Sequence, residues 1–265
     1  MMAELTQHVA LVTGAGRGIG RTTAFELARR GARVGALART EPEITEVVEQ
    51  INAMGGTALA LTCDIAHLES LTAAVEQLTQ QLGVVDILVN NAAIIGPLGP
   101  TTEVDPQAWT QTLAINLLGS FYAARLVLPG MIDGGWGRII NVSSGAAQGQ
   151  GIVRASAYSV SKAGLDMLTR TLAAELDGSD VAVASVYPGV VDTEMQAELR
   201  QAPPEQFGAA TSARFHGLHV RGELLNPALP AKLIAALCGP AGQRYHGQGV
   251  RISDPAGQKL LAGLV

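Results

Sequence analysis

Three side chains in the middle of the sequence could together supply a proton to an oxygen atom. Tyr158 and Lys162 are four residues apart, so a helix would carry the phenol and the ammonium on one face, and Ser144 precedes them. Hydride addition to a carbonyl develops an alkoxide, which needs a proton donor and a hydrogen-bond partner. A neighbouring ammonium is expected to lower the pKa of the phenol, so that it can also accept a proton. Because this spacing also occurs by chance on helix surfaces, the position in the fold decides its meaning.

The beginning of the sequence could bind a phosphate group. Residues 13–20 read Thr-Gly-Ala-Gly-Arg-Gly-Ile-Gly and are followed by a helix-like segment from about Arg21 to Arg30. Glycines permit a tight turn and let a pyrophosphate approach the free N–H groups of a helix N-terminus. Since this loop follows a strand-like run and opens a helix, it predicts a dinucleotide-binding βαβ unit.

The second strand-like run indicates which dinucleotide is bound. An NAD site usually has an acidic residue at the end of that strand, where this sequence has Ala38 followed by Arg39. Arg17, inside the glycine loop, is a second guanidinium that could reach the same ribose. Two arginines without the acidic residue favour a 2′-phosphate, and therefore NADP(H).

Short apolar runs alternate with longer amphipathic segments, which predicts a parallel sheet with right-handed crossovers. The predicted strands are residues 8–13, 33–38, 58–62, 85–90, 138–142, 181–187 and 249–253. Helices are predicted over residues 42–54 and 157–176, among others. No linker or repeat divides the chain, so we expect one α/β domain over residues 1–265. The expected architecture is a Rossmann fold, a doubly wound parallel sheet of about seven strands with helices on both faces.

Ligands of such sheets bind beyond the carboxyl ends of the strands. The fifth predicted strand leads to Ser144, and the helix after it begins near Tyr158, so these residues should meet the glycine loop at one edge. Residues 193–226 are the exception to the pattern, with Pro203, Pro204 and several glycines but little periodicity. This irregular segment is predicted to be a substrate lid, although a partly helical excursion without function is an alternative.

Composition and charge exclude several classes of protein. With 48% apolar and 15% charged residues, the 265-residue chain can bury a large core. A net charge of −5 without basic runs argues against nucleic-acid or anionic membrane partners. We see neither a secretory signal nor an uninterrupted apolar run long enough to span a bilayer, so a soluble, cytoplasmic protein is expected. Cys63 and Cys238 are expected to be buried and reduced, and no metal site is expected.

Ordered motifs across residues 8–191 make the chain resemble the short-chain dehydrogenase/reductase family, and in particular its 3-oxoacyl-carrier-protein reductases. These motifs are residues 13–20, 90–93 (Asn-Asn-Ala-Ala), Asn116, Ser144, Tyr158 with Lys162, and 188–193 (Pro-Gly-Val-Val-Asp-Thr). The resemblance weakens beyond residue 191.

The resemblance implies a role for each site residue. Tyr158 would be the catalytic acid and base, Ser144 would hold the substrate oxygen, Lys162 would bind the nicotinamide ribose, and Asn116 would fix a water linked to Lys162. An alternative for Asn116 is a buried amide bonded to backbone. The implied cofactor-binding residues are Gly14, Arg17, Gly18, Ile19, Gly20, Arg39, Asp64, Ile65, Asn91, Ala92, Tyr158, Lys162, Pro188, Val191 and Thr193.

Three departures from the family pattern are visible. Ala93 replaces the usual glycine of the asparagine motif, the interval from Ser144 to Tyr158 is one residue longer than usual, and the tail reads Val-Arg-Ile-Ser-Asp-Pro over residues 250–255. The longer interval suggests a loop reshaped around the substrate.

The expected function is that of an NADP(H)-dependent carbonyl reductase for small-molecule ketones, with a 3-oxoacyl thioester or similar ketone as substrate. An NAD(P)-dependent alcohol dehydrogenase acting oxidatively and a non-catalytic NADP-sensing regulator are the alternatives. Because predicted helices over residues 107–131 and 157–176 carry more apolar surface than one core face needs, a homodimer or homotetramer is expected.

Overall fold

The computed structural model describes residues 4–263, in which a seven-stranded sheet forms the centre of the molecule. Every neighbouring pair of strands is parallel, and the strand order across the sheet is β3-β2-β1-β4-β5-β6-β7. The chain adds β2 and β3 on one side of β1, and then adds β4 to β7 on the other side. This confirms the predicted doubly wound sheet, whose switch point is the usual place for a ligand. The strands are β1 (Val9–Thr13), β2 (Arg33–Ala38), β3 (Thr57–Thr62), β4 (Ile87–Asn90), β5 (Gly137–Val142), β6 (Val181–Tyr187) and β7 (Gly249–Arg251).

Helices cover both faces of the sheet, as predicted. They are α1 (Gly18–Arg29), α2 (Glu41–Ala53), α3 (Leu68–Leu82), α4 (Pro106–Leu113), α5 (Gly119–Asp133), α6 (Ser156–Glu175), α7 (Glu194–Gln201), α8 (Pro204–Phe207), α9 (Ala209–Val220), α10 (Ala228–Leu237) and α11 (Pro255–Ala262). The π-helical turn Ala114–Leu118 joins α4 to α5, and 3₁₀ turns span Gly145–Ala147 and Pro240–Tyr245.

Two apolar layers hold the helices on the sheet. Leu27 of α1, Val47 of α2 and Leu233 of α10 belong to one layer, and Leu78 of α3 and Leu172 of α6 belong to the other. The central strands β1, β5 and β6 are buried along their whole length, which explains their continuous apolar runs. β7 is shorter than predicted because only three of its residues pair with β6, its single neighbour.

The segment over residues 193–226 is largely helical, so the prediction of an irregular segment was wrong. It contains α7, α8 and α9, and its end returns to the domain through a parallel bridge between Val191 and Leu225. These helices are short, and Pro203 and Gly208 lie at the turns between them. With eight and four residues, α7 and α8 are too short to show a helical period in the sequence, whereas α9, with 12 residues, is long enough.

One continuous helical run is longer and more apolar than the sequence suggested. Pro106–Asp133, which comprises α4, the π turn and α5, has 28 residues, and its most apolar 18-residue stretch has a mean hydropathy of 1.3. By length and composition alone, this run could cross a membrane. The expectation that no segment could do so therefore needs correction. Ala123, Ala124 and Val127 of this run are buried against the sheet, so its apolar character is that of a core helix.

Candidate active site

A cleft of about 280 Å³ opens at the carboxyl ends of β1, β2 and β4, beside the glycine loop. Most of the residues implied as cofactor-binding line this cleft. They are Gly14, Arg17, Gly18, Ile19, Arg39, Asp64, Ile65, Asn91, Ala92, Tyr158, Lys162, Pro188 and Thr193. Gly20 lies behind the loop and Val191 lines a second cavity, so these two residues do not line the cleft.

Two glycines of the loop, Gly14 and Gly20, lie too close to neighbouring backbone to be replaced by residues with a side chain. Gly14 has φ +64°, and a Cβ there would lie 2.9 Å from Ala92 Cα. A Cβ on Gly20 would overlap the carbonyl oxygen of Gly14, because α1 starts directly against the turn. The loop therefore leaves an open concave surface at the N-terminus of α1, which is the shape and charge that a pyrophosphate needs.

Thr13 and Asn91 hold the loop against the end of β4. The Asn91 side chain donates to the Thr13 carbonyl oxygen (2.9 Å) and to the Gly14 carbonyl oxygen (3.1 Å). The Thr13 hydroxyl accepts from the backbone N–H groups of Asn91 and Ala92, each at 3.0 Å. Asn91 is one of the residues that the resemblance implied as cofactor-binding, and the structure adds that its amide fixes the loop.

The ribose end of the cleft contains the two predicted arginines. Arg39 is exposed, and its guanidinium has no hydrogen bond or ion pair within residues 4–263. Arg17 is also exposed, and its only such contact in the described chain is a 3.9 Å approach to the Glu198 carboxylate. Glu43 lines the same end and was not anticipated from the sequence. Two cations available to a ligand fit a 2′-phosphate.

Tyr158 lies in the first turns of α6 and is only 8% exposed. Burial raises the pKa of its phenol above the ordinary value, while a hydrogen bond with Ser144 acts in the opposite direction. This corrects the expectation of a lowered pKa, because the loss of hydration outweighs the hydrogen bond with Ser144. Ser144 lies just after β5, where its hydroxyl also accepts from the N–H of Ala146 at 3.1 Å.

Lys162 lies one turn after Tyr158 and is 2% exposed. Its ammonium donates a 2.7 Å hydrogen bond to the Val142 carbonyl oxygen and lies 5.8 Å from the centre of the Tyr158 ring. Burial lowers the pKa of Lys162 to about 8, and the carboxylate of Asp166 partly offsets this effect. The helix thus brings the phenol and the ammonium to one face, as the spacing predicted, and the end of β5 brings the Ser144 hydroxyl to the phenol.

Asn116 lies in the π turn and fastens α6 to the loop after β4. Its side chain accepts from the N–H of Ile94 (2.8 Å) and donates to the Ile94 carbonyl oxygen (2.9 Å) and to Ser161 Oγ (3.0 Å). Ser161 in turn donates to the Tyr158 carbonyl oxygen. The alternative of a buried amide bonded mainly to backbone therefore describes this side chain, and Asn116 lines neither cavity.

A second cavity, of about 620 Å³, adjoins the first. Tyr158 and Ser143 line both cavities, whereas Ser144 lines only the second. Ser143 Oγ is buried without a hydrogen-bond partner in the described structure. The phenol therefore stands between a cleft shaped for a dinucleotide and a cavity large enough for a small molecule.

Residues 8–204 match the family model described as short chain dehydrogenase. The chain belongs to the short-chain dehydrogenase family. It is 37% identical over 202 residues to a 3-oxoacyl-[acyl-carrier-protein] reductase from Pseudomonas aeruginosa, covering 76% of this chain and 81% of that protein. It is 32% identical over 237 residues to a cyclohexanol dehydrogenase from an Acinetobacter species, covering 89% of this chain and 90% of the other.

A solved structure extends the likeness to the whole chain. A variant of the actinorhodin polyketide ketoreductase, solved with NADPH, superposes with a TM-score of 0.85 at 34% identity, covering 96% of this chain and 99% of that one. The resemblance stated from the sequence motifs, and the single Rossmann domain that it implied, are therefore confirmed.

Sequence reasoning missed much of the second cavity of this short-chain dehydrogenase. Polar residues that line it without having been predicted include Tyr187, Gln196, Arg214 and Arg251. Arg251 falls in the tail that departs from the family pattern, which is the one signal that could have pointed to it. His216 and His219, which are three residues apart, both lie on α9, and no group of three metal-ligating side chains occurs among the residues that the structure describes.

Proposed function

We propose that this short-chain dehydrogenase is an NADP(H)-dependent carbonyl reductase acting on ketones such as 3-oxoacyl thioesters. The observation that carries the proposal is the position of Tyr158, which lines both the dinucleotide cleft and the adjoining cavity. A group at that boundary can reach a substrate oxygen while the reacting carbon faces the cofactor. The named activities of the relatives and the NADPH of the ketoreductase structure support the same conclusion.

The residues of this chain supply proton transfer and positioning. NADPH, when bound, supplies the hydride. Ser144 and Tyr158 hold the substrate oxygen by hydrogen bonds, and Tyr158 donates its proton to that oxygen as negative charge develops. A raised phenol pKa suits this direction, because the hydroxyl stays protonated at neutral pH.

Lys162 and Asn116 have supporting roles in the proposal. Lys162 keeps positive charge beside the phenol and binds the nicotinamide ribose. Asn116 is a positioning residue, since its side chain ties Ser161 of the catalytic helix to the backbone of Ile94. Its predicted contact with a water remains part of the proposal.

The cofactor proposal rests on the cleft itself. The glycine loop leaves room for a pyrophosphate, and the Ser143 hydroxyl is an unpaired buried group on the wall of the cleft. Gly14, Gly18 and Gly20 would shape the pyrophosphate site, Arg17 and Arg39 would hold the 2′-phosphate, and Asp64 and Ile65 would flank the adenine. Asn91, Ala92, Pro188, Val191 and Thr193 would line the nicotinamide end.

The decisive experiment follows NADPH oxidation with a panel of 3-oxoacyl thioesters, diketones, quinones and cyclic ketones. Steady turnover with at least one of them supports a reductase. A protein that binds NADPH but turns over no ketone or alcohol would instead be the non-catalytic regulator.

The oxidative direction is a second candidate because a relative is named cyclohexanol dehydrogenase. The same residues would serve, with Tyr158 accepting a proton. Comparison of kcat/KM for a ketone and for its alcohol, each with the matching cofactor form, decides the preferred direction.

Assembly, lid and location complete the proposal. Leu118 and Phe121 near the start of α5, and Val160 and Met167 on α6, are large apolar side chains with 40–55% exposure, which a homodimer or homotetramer would cover. Light scattering that reports a monomer at micromolar concentration would contradict this. Residues 193–226 act as the substrate lid within the single domain 1–265. A cytoplasmic location fits the free, buried thiols of Cys63 and Cys238.

A further inference from the structure

The charged side chains that line the second cavity, the proposed substrate cavity, are all cationic. Arg214 and Arg251 line it, whereas no aspartate or glutamate does so among the residues that the structure describes. The chain as a whole has the opposite balance, with 23 acidic and 18 basic residues. The rest of the cavity lining is largely apolar, so its surroundings do not account for a positive charge on the cavity wall.

Arg251 is held in place in a way that leaves its guanidinium available. The group lies 4.8 Å from the centre of the Tyr187 ring, and the Tyr187 hydroxyl is fixed by a 2.7 Å hydrogen bond to Asp166. Its one acidic neighbour in the described chain is Asp254, at 3.9 Å from Nε, which is too long for a hydrogen bond. The side chain is 37% exposed, so the cation is partly withdrawn from water, and its long ion pair with Asp254 leaves the donors of the guanidinium free for a ligand.

Gln196 provides an independent sign of a missing polar ligand. The residue is 4% exposed and lines the same cavity, and its Oε1 accepts a 2.6 Å hydrogen bond from Arg200. This bond fixes which end of the amide is nitrogen, and Nε2 is buried with no partner in the described residues. Buried amide donors are nearly always bonded, to protein, water or ligand. A substrate with acceptor oxygens would satisfy this one.

We propose that the cavity recognises a carboxylate, so that the preferred substrates are ketones carrying a carboxylate remote from the reacting carbonyl. Arg251 binds the carboxylate, because a planar guanidinium matches its two oxygens, and Gln196 donates to an acceptor oxygen of the same substrate. Arg214, which is exposed, lies over the ring of its neighbour Phe215 and has no hydrogen bond or ion pair within residues 4–263, attracts the anion at the entrance. This inference rests on the proposed reductase function and narrows its substrate class.

The test compares keto acids of increasing chain length with their methyl esters, using NADPH and the full-length enzyme. The acid of the best pair should exceed its ester in kcat/KM by at least about tenfold, the scale of one charge-assisted hydrogen bond. Arg251→Gln should lower kcat/KM for the acid about 10- to 100-fold and leave the ester within about twofold. Arg251→Lys should fall between, because it keeps the charge without the planar pair of donors.

Arg221→Gln is the matched control. Its guanidinium is bound to Glu223, and it lies within residues 193–226, as Arg214 does, but outside the cavity, so neither substrate should respond. A second measurement uses the saturated carboxylic acid of the same length as an inhibitor of ester reduction. It should inhibit the wild type and lose about tenfold in potency with Arg251→Gln.

Equal kcat/KM for acid and ester in the wild type would overturn the inference while leaving the reductase function intact. An Arg251→Gln variant that loses acid and ester activity equally would also overturn it, since the arginine would then be structural. If neither acid nor ester is consumed, the proposed function itself fails.

Discussion

The ammonium of Lys162 donates a 2.7 Å hydrogen bond to the carbonyl oxygen of Val142, the last residue of β5. This bond joins α6 to β5 through a charged group that is buried. Because burial lowers the pKa of Lys162 to about 8, the folded protein bears the cost of dehydrating that charge at neutral pH. Binding of a partner for the ammonium would offset this cost.

The first prediction is that Lys162→Met stabilises the cofactor-free protein at neutral pH. A lysine with a pKa of about 8 when folded and about 10.5 when unfolded binds fewer protons in the folded state between these values. The free energy of unfolding of the wild type therefore rises with pH across this window. The advantage of Lys162→Met over the wild type should shrink by about 2 kcal/mol between pH 7 and pH 9.5.

Urea unfolding of both proteins at the two pH values measures this difference. Lys232→Met, which removes an exposed lysine from α10, gives the background for losing a surface cation. If the free energies of unfolding of Lys162→Met and the wild type differ by the same amount at both pH values, the ammonium is hydrated in the folded protein. The same variant should lose turnover and bind NADPH more weakly, because the proposal has Lys162 contact the ribose.

The second prediction concerns the phenol of Tyr158. Since burial raises its pKa above the ordinary value of a phenol, Tyr158 in the cofactor-free protein should contribute phenolate absorbance only at higher pH than an exposed tyrosine does. Subtracting the ultraviolet titration of Tyr158→Phe from that of the wild type isolates this contribution. Ser144→Ala should move the titration further upward, because the Ser144 hydrogen bond is the influence that lowers the pKa. A Tyr158 contribution that appears near pH 8 would contradict the raised value.

The third prediction is that NADPH binds at least about tenfold more tightly than NADH, the scale of one charge-assisted contact. Arg39 lines the cleft without a partner in the described chain, so a 2′-phosphate can use it fully. Arg39→Asp should reverse the preference by repelling the phosphate and offering a carboxylate to the ribose hydroxyl. Calorimetric titration with both nucleotides measures the change.

Arg29→Asp is the control for this charge reversal, since Arg29 is exposed near the end of α1 and lies outside the cleft. It should leave the preference unchanged. Equal dissociation constants of NADPH and NADH for the wild type would remove the basis for assigning Arg17 and Arg39 to the 2′-phosphate.

Features that depend on neighbours in the chain could be predicted from the sequence. The glycine loop, the Tyr158–Lys162 spacing and the strands at 33–38 and 181–187 are local patterns, and the structure has all of them. Because ligands of parallel sheets bind beyond the carboxyl ends of the strands, Ser144 and Tyr158 could also be predicted to lie near this loop.

Features that depend on the packed fold could not be predicted in this way. The pKa of Tyr158 moves opposite to the expectation because burial is a property of the fold rather than of the spacing. Arg251 reaches the substrate cavity from the last strand, and Gln196 from a helix after β6. Gln196 has no signal of a ligand in its local sequence, and the unusual tail around Arg251 does not say what the residue contacts, so only the assembled cavity shows that the two lie together.

The fourth prediction tests the central assignment. Tyr158→Phe removes one hydroxyl from a buried ring that packs with Ile95, Phe207 and Phe215, so the fold and the cleft should remain. Loss of a positioned general acid typically lowers turnover about 10²- to 10⁴-fold. We therefore expect kcat to fall by this factor with the best ketone, while the dissociation constant of NADPH changes little.

Ser144→Ala gives the comparison for Tyr158→Phe. It removes a hydrogen bond to the same oxygen but leaves the proton donor, so it should lower kcat less, again without releasing NADPH. Nucleotide binding followed by fluorescence shows that both variants are folded and loaded. If Tyr158→Phe keeps more than about a tenth of the wild-type kcat, another group donates the proton, because a general acid rarely contributes so little. In that case the position of Tyr158 between the two cavities would serve to separate cofactor from substrate, and the reductase proposal would need a different acid.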